Sequence, residues 1–167
     1  MSDLYSELLV AREMNATDKM GKIGLIVVTA VAFAAGIVIN PIFLAVGLVL
    51  AVVDYFIIPR FDVEYEYLYV NGTMDIDRIF SKSKRKKAVS LELSNMEILA
   101  PVKSHQLDAY NQNAGIKVQD FSSRNQEHKI YAMIISEGKE RMKVLLELDD
   151  KMLKDLKQRF PRKVFLD

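Results

Sequence analysis

Four acidic side chains stand at strand spacing. Glu64 and Glu66 alternate on one segment, and Asp75 and Asp77 alternate on the next. Carboxylates gathered on paired strands are the donor set of a hard divalent cation. The plainer reading is the solvated outer face of a sheet, paired with Arg78 or a nearby lysine. Lys82, Lys84, Arg85, Lys86 and Lys87 form a second group, five cations within the run KSKRKK. A run of this kind on a tethered domain can be drawn to anionic lipid headgroups or to an acidic partner. It can equally be a solvated strand connection that blunts a sheet edge. His105 and His128 are isolated, without H-E-x-x-H spacing, and Ser122-Ser123 lacks the G-x-S-x-G turn of a nucleophile elbow. No glycine-rich loop follows a strand and opens a helix. With no cysteine in 167 residues, thiol nucleophiles, disulfides and Cys-based metal sites are excluded. The residues name no catalytic group, no metal site and no cofactor, and the expectation is a protein that is not an enzyme.

The elements that carry these residues fall into two textures. From Ile23 to Val53 there are 31 consecutive positions without a charge. As one straight helix this block would run roughly 46 Å, against a hydrocarbon core of about 30 Å. Asn40-Pro41 divides it, because proline lacks an N–H and pushes the residue before it out of helical geometry. The expectation is a transmembrane helical hairpin over 19–58, with helices at about 19–39 and 41–58. Ala32 with Gly36, and Gly47 with Ala51, supply small residues four apart for close packing. A cleaved signal peptide fits poorly, since the block is long and Asp3, Glu7, Glu13 and Asp18 precede it. Asp54, one turn from the end of the second span, reads as an interfacial carboxylate capped by water rather than as a proton relay.

Arg12, Lys19 and Lys22 precede the first span and Arg60 follows the second, while the turn has no Lys or Arg. The positive-inside rule then places both termini in the cytoplasm. That placement makes the glycosylation patterns at Asn15 and Asn71 irrelevant. Residues 1–18, with Leu4, Leu8 and Ala11 at helical spacing, predict a short amphipathic helix, on the membrane or on the soluble domain.

After Pro59 the apolar residues alternate. Val63, Tyr65, Tyr67 and Tyr69 share one strand face, Asn71-Gly72 marks a type I′ hairpin, and Met74, Ile76 and Phe80 line the return strand. Further strands centre on Val89–Leu93, Met96–Ala100, Ile116–Phe121, Ile130–Ser136 and Met142–Leu148, with one helical turn around Leu107–Tyr110. A C-terminal helix over 149–160, capped by Asp149 or Asp150, presents Met152, Leu153, Leu156 and Phe160 on one side. The segment 59–167 is therefore expected to be a seven-stranded antiparallel β-barrel closed by a helix. The fold class is α+β with a membrane part.

Two apolar spans running directly into YEYLYVNGTMDIDRIFSKSKRKKAVSLEL, with a helix ending FPRKVFL, resemble bacterial two-span membrane proteins that carry a pleckstrin-homology-like (PH-like) cytoplasmic domain. The resemblance covers about residues 20–165. It implies the helix-capped barrel and no reaction. Phosphoinositide-binding PH domains use a basic loop between their first two strands. Here that connection reads as Asn71-Gly72, which carries no basic residue.

These readings converge on a cell-membrane protein that displays a binding or scaffold domain at the cytoplasmic face. Anionic lipid headgroups, another membrane protein or identical copies are its expected partners. A small accessory subunit of a transporter or membrane-enzyme complex is the alternative, and a metal-dependent hydrolase built on the strand carboxylates a distant third. With 23 Lys and Arg against 22 Asp and Glu, the balance argues against a dedicated nucleic-acid binder, and no nucleic acid is expected among the partners.

Overall fold

The computed structural model describes residues 5–112, 115–125, 127–138 and 140–166. The chain divides into two compact units. One comprises Glu13–Val63 with Ile79–Lys84. The other comprises the segment up to Arg12, Glu64–Arg78 and everything from Arg85 onward.

The first unit is built on two helices, α1 (Ala16–Val38) and α2 (Ile42–Ile57), the latter running into a 3-10 turn at Ile58–Arg60. Both are long and apolar enough to cross a membrane, by length and composition. Asn40 and Pro41 make the reversal between them. The Asn40 carboxamide oxygen accepts from the Ile42 N–H at 2.9 Å, so the first free amide of α2 is satisfied locally. The helices meet through glycine. A Cβ on Gly36 would lie 2.7 Å from Leu44, including its backbone nitrogen, and one on Gly47 would lie 3.1 Å from the Phe33 ring. Of the small residues in the sequence, the two glycines are buried, whereas Ala51 is exposed.

The second unit is a β domain with eight strands among its described residues: β1 (Tyr5–Ala11), β2 (Val63–Val70), β3 (Thr73–Phe80), β4 (Lys84–Glu92), β5 (Met96–Pro101), β6 (Lys117–Asp120), β7 (Tyr131–Glu137) and β8 (Glu140–Leu146). The tips of β3 and β4 and the start of β2 belong to the helical unit. The strands form two four-stranded sheets in the orders β1-β2-β3-β4 and β5-β7-β8-β6, in place of a closed seven-stranded barrel. A 3-10 turn at Leu93–Asn95 carries the chain from the first sheet to the second.

Two differences from the sequence expectation have local causes. Residues 5–11 form a strand, not an amphipathic helix. The run Leu8-Leu9-Val10 satisfies both periods, but Ser6 and Val10 are buried while Tyr5, Leu9 and Ala11 are exposed, which is an alternation of two. β2 supplies the ladder, pairing antiparallel with β1 from Tyr5↔Val70 to Ala11↔Glu64. Of the rest of the expected helix, residues 12–15 belong to no element, Ala16–Asp18 open α1, and residues 1–4 lie outside the described residues. The second difference is β6, which pairs parallel to β8. Its connection to β7 steps over β8, so neighbouring strands no longer alternate in direction.

The inner faces of the sheets bury the expected residues. Tyr67, Tyr69, Met74, Ile76, Leu91, Leu93, Val144 and Leu146 have no accessible surface. Helix α4 (Asp150–Arg159) adds Met152, Leu153 and Leu156, and Asp149 caps it by accepting from Met152 N–H at 2.7 Å. Strand β7 is buried on both faces from Tyr131 to Ile135. Its second face is covered by a smaller cluster in which Leu107, at the end of a 3-10 turn, and Tyr110 on α3 (Asp108–Asn111) pack with Ile98, Ala100, Ala132, Ile134 and Phe165. The polar segment after Pro101 thus acts as a lid on the second sheet.

Candidate functional site

The strand carboxylates lie on the first sheet as an ion-pair ladder. Arg85 bridges Glu66 at 2.6 Å and approaches Asp77 at 3.9 Å. Lys87 reaches Asp75 at 3.0 Å, and the Ser90 hydroxyl donates to the same carboxylate. The hydrogen bond from Ser90, reinforced by Lys87 against partial burial, holds Asp75 below the ordinary carboxylate range. Glu66 moves the other way: burial raises it, more than Arg85 lowers it, and Glu7 and Asp77 add like charge. Glu64 stands opposite Ala11 in the β1 register. Among the described residues no three His, Asp or Glu side chains converge as a metal-binding group. Arg78, expected as a partner for these acids, instead lies over the Phe121 ring, 5.5 Å from its centroid.

The basic run is divided by this arrangement. Only Ser81–Ser83 is a turn, and from Lys84 onward the residues belong to β4. Arg85 and Lys87 face the acids. Lys82, Lys84 and Lys86 are exposed and make no ion pair among the described residues.

A polar cluster that the sequence keeps far apart sits at the β6–β7 connection. Glu147 is 9% exposed and accepts from the Ser123 N–H at 2.8 Å and the Ser123 hydroxyl at 2.5 Å. His128 Nδ1 lies 3.0 Å from the second Glu147 oxygen and 3.3 Å from Ser123 Oγ. Tyr67 completes the cluster: its hydroxyl donates to the Phe121 carbonyl at 2.6 Å and accepts from Glu147 N–H at 3.4 Å. Burial pushes the Tyr67 phenol well above its ordinary range. A Ser-His-Glu set invites comparison with a nucleophile triad, in which the imidazole stands between hydroxyl and carboxylate and uses one ring nitrogen for each. Here both contact the same nitrogen, and the serine proton goes to the carboxylate. Ser123 is itself buried. The geometry ties the β6–β7 connection to the residue that follows β8 and keeps the Ser123 hydroxyl out of solvent. Read singly, Ser123 and His128 give no sequence signal, because Glu147 comes to them from beyond the end of β8.

Two further places hold polar side chains. On the helix pair, the Thr29 hydroxyl of α1 donates to the Asp54 carboxylate at 2.6 Å. Asp54 is buried in the helix pair. On the second sheet, an open depression is lined by Ile116, Lys117, Ser136, Glu140 and Arg141. Its cations are already engaged, Lys117 with Glu140 at 2.9 Å and Arg141 with Glu97 at 2.8 Å.

Two four-stranded sheets followed by a C-terminal helix are the parts of a PH-like β domain. The family model for the bacterial PH-like domain (DUF6106) matches residues 2–166, and the chain belongs to that family. No curated protein and no solved structure matched the chain. The topology revises one expectation drawn from the resemblance. The first two strands of the sheet are β1 and β2, and what joins them is the apolar helix pair. Asn71-Gly72 joins the second strand to the third.

Proposed function

We propose that this chain is a non-enzymatic integral membrane protein that displays its PH-like domain as a binding or scaffold module at the cytoplasmic face. The observation that carries this reading is the ladder between β1 and β2, which flank the two apolar helices in sequence. Strands that pair must lie on one side of a membrane. Two crossings return the chain to the side it left, and one crossing does not. Arg12, Lys19, Lys22 and Arg60 flank the helices and the reversal at Asn40 carries no cation, which supports the cytoplasm as that side. The protein is expected to stay with membranes through a carbonate wash, and recovery in the soluble fraction would sink the reading. Reporters fused ahead of β1 and after Asp167 should both be active only as cytoplasmic reporters.

The outward surfaces of the helix pair favour a second reading, a small accessory subunit of a transporter or membrane-enzyme complex. Ile26, Val27, Val31, Ile37, Leu48 and Val52 are all exposed, and a larger helical partner would cover them as well as lipid does. Stoichiometric co-purification with a larger subunit in mild detergent is the expected result for that reading. A clean homo-oligomer points to self-association instead.

A further inference from the structure

Of the five cations between residues 82 and 87, Arg85 and Lys87 are held by strand carboxylates, and Lys82 and Lys84 are not. Both belong to the compact unit of the helix pair, and the hydrogen bonds of their turn say where in that unit they are. Ser83 N–H donates to the Phe80 carbonyl at 3.1 Å, closing the turn, and Ser81 N–H donates to the Asp62 carbonyl at 2.9 Å. Asp62 follows directly on the 3-10 turn that ends α2 at Arg60. The helices form a hairpin, so the start of α1 lies at the same end, and the Phe61 ring rests 3.4 Å from where a Cβ on Gly21 would be. Three chain segments thus bring Lys19, Lys22, Arg60, Lys82 and Lys84 to the base of the hairpin. The acids on these segments are Glu13, Asp18 and Asp62. The base is therefore net cationic.

The turn is built in a way its own geometry does not favour. Ser81 and Lys82 have φ of 45° and 55°, positive at both central positions as in a type I′ turn. The β2–β3 turn meets the same requirement with Asn71 and Gly72, the residues that adopt it readily. A lysine in the left-handed region costs conformational energy that glycine would not, and it is held there by the turn's hydrogen bonds.

We propose that Lys82 and Lys84 contact the anionic headgroups of the leaflet at the base of the hairpin, so that the β3–β4 turn is a third attachment beside the two helices. The proposal rests on the membrane reading above. Both lysines are exposed to solvent, so the recognition is of surface charge density and not of one headgroup. It weakens with salt and grows with the anionic fraction of the bilayer.

The chain has no cysteine, so Ser83→Cys offers a single labelling position in the turn. The full chain, labelled there with a fluorophore, would be placed in nanodiscs of phosphatidylcholine alone or mixed with phosphatidylglycerol, each doped with headgroup spin-labelled lipid. Quenching should be stronger in the anionic discs and relieved by salt. Lys82→Gln and Lys84→Gln should each lower the bound-to-free ratio of the turn about fivefold. Lys82→Gly should raise the thermal midpoint while it weakens quenching, a combination that a purely structural turn would not give. Equal quenching in neutral and anionic discs, or quenching indifferent to both glutamines, overturns the proposal. A chain that carbonate strips from membranes fails earlier and overturns the hairpin reading itself.

Discussion

Tyr67 shows how much one side chain can hold together. Its ring lies in the core and its hydroxyl serves two backbone groups, the Phe121 carbonyl and the Glu147 N–H. Tyr67→Phe keeps the ring and leaves both groups buried and unpaired, which costs about 1–3 kcal/mol. Urea unfolding of the full chain in detergent should show the midpoint fall. Acid sensitivity belongs to the same scale. Glu97 is held below the ordinary carboxylate range, first by the Ser136 hydroxyl and then by Arg141, and Asp75 is held down by Ser90 and Lys87. A depressed folded value stabilises the fold above the unfolded value, and that contribution is lost as pH falls through the folded one. Stability should therefore decline below about pH 4, and Glu97→Gln should flatten the decline in a thermal series. Glu66, raised by burial, works in the opposite sense. The apolar residues of these strands were legible because alternation in Val63–Tyr69 and Met74–Ile76 is written locally. The cluster of Ser123, His128 and Glu147 was not, because its members meet only after β8 has paired.

Among the elements, the helix pair depends on the absence of a side chain at Gly36. A Cβ there would fall on the backbone of α2, which cannot swing aside as a flexible side chain can. Gly36→Ala should loosen the hairpin by 1–3 kcal/mol, about the range for overpacking. Gly24→Ala, with nothing within 4 Å, should leave it unchanged. Thermal unfolding of the two variants in the same detergent separates the cases. The hairpin and α4 could be read from sequence because an uncharged run, an Asn-Pro break, an Asp cap and a 3–4 apolar spacing are local signals. β1 could not, since its apolar run fits both periods and only its partner, beyond the helices, decides between them. The parallel β6 likewise depends on a connection stepping over β8, which no residue pattern within Lys117–Asp120 records.

At the scale of the whole molecule, the two apolar helices interrupt a β-sheet between its first strand and its second. Removing Ile42–Ile57 leaves one span and places β1 across the membrane from β2 in the proposed reading. The amides of Tyr5–Ala11 should then exchange with deuterium as fast as an unfolded segment, while the second sheet stays protected. Exchange unchanged from the intact chain would mean that the helices do not cross. The same arrangement has a consequence during synthesis. β1 leaves the ribosome first and has no partner until both helices have been made and β2 follows. In the proposed reading the ladder closes around a hairpin that has crossed twice and stays open around one that has crossed once. A half-inserted chain keeps the β2 edge bare, a surface open to aggregation and to proteolysis. In the proposed reading, completion of the sheet by the seven residues of β1 would then report that both helices had crossed.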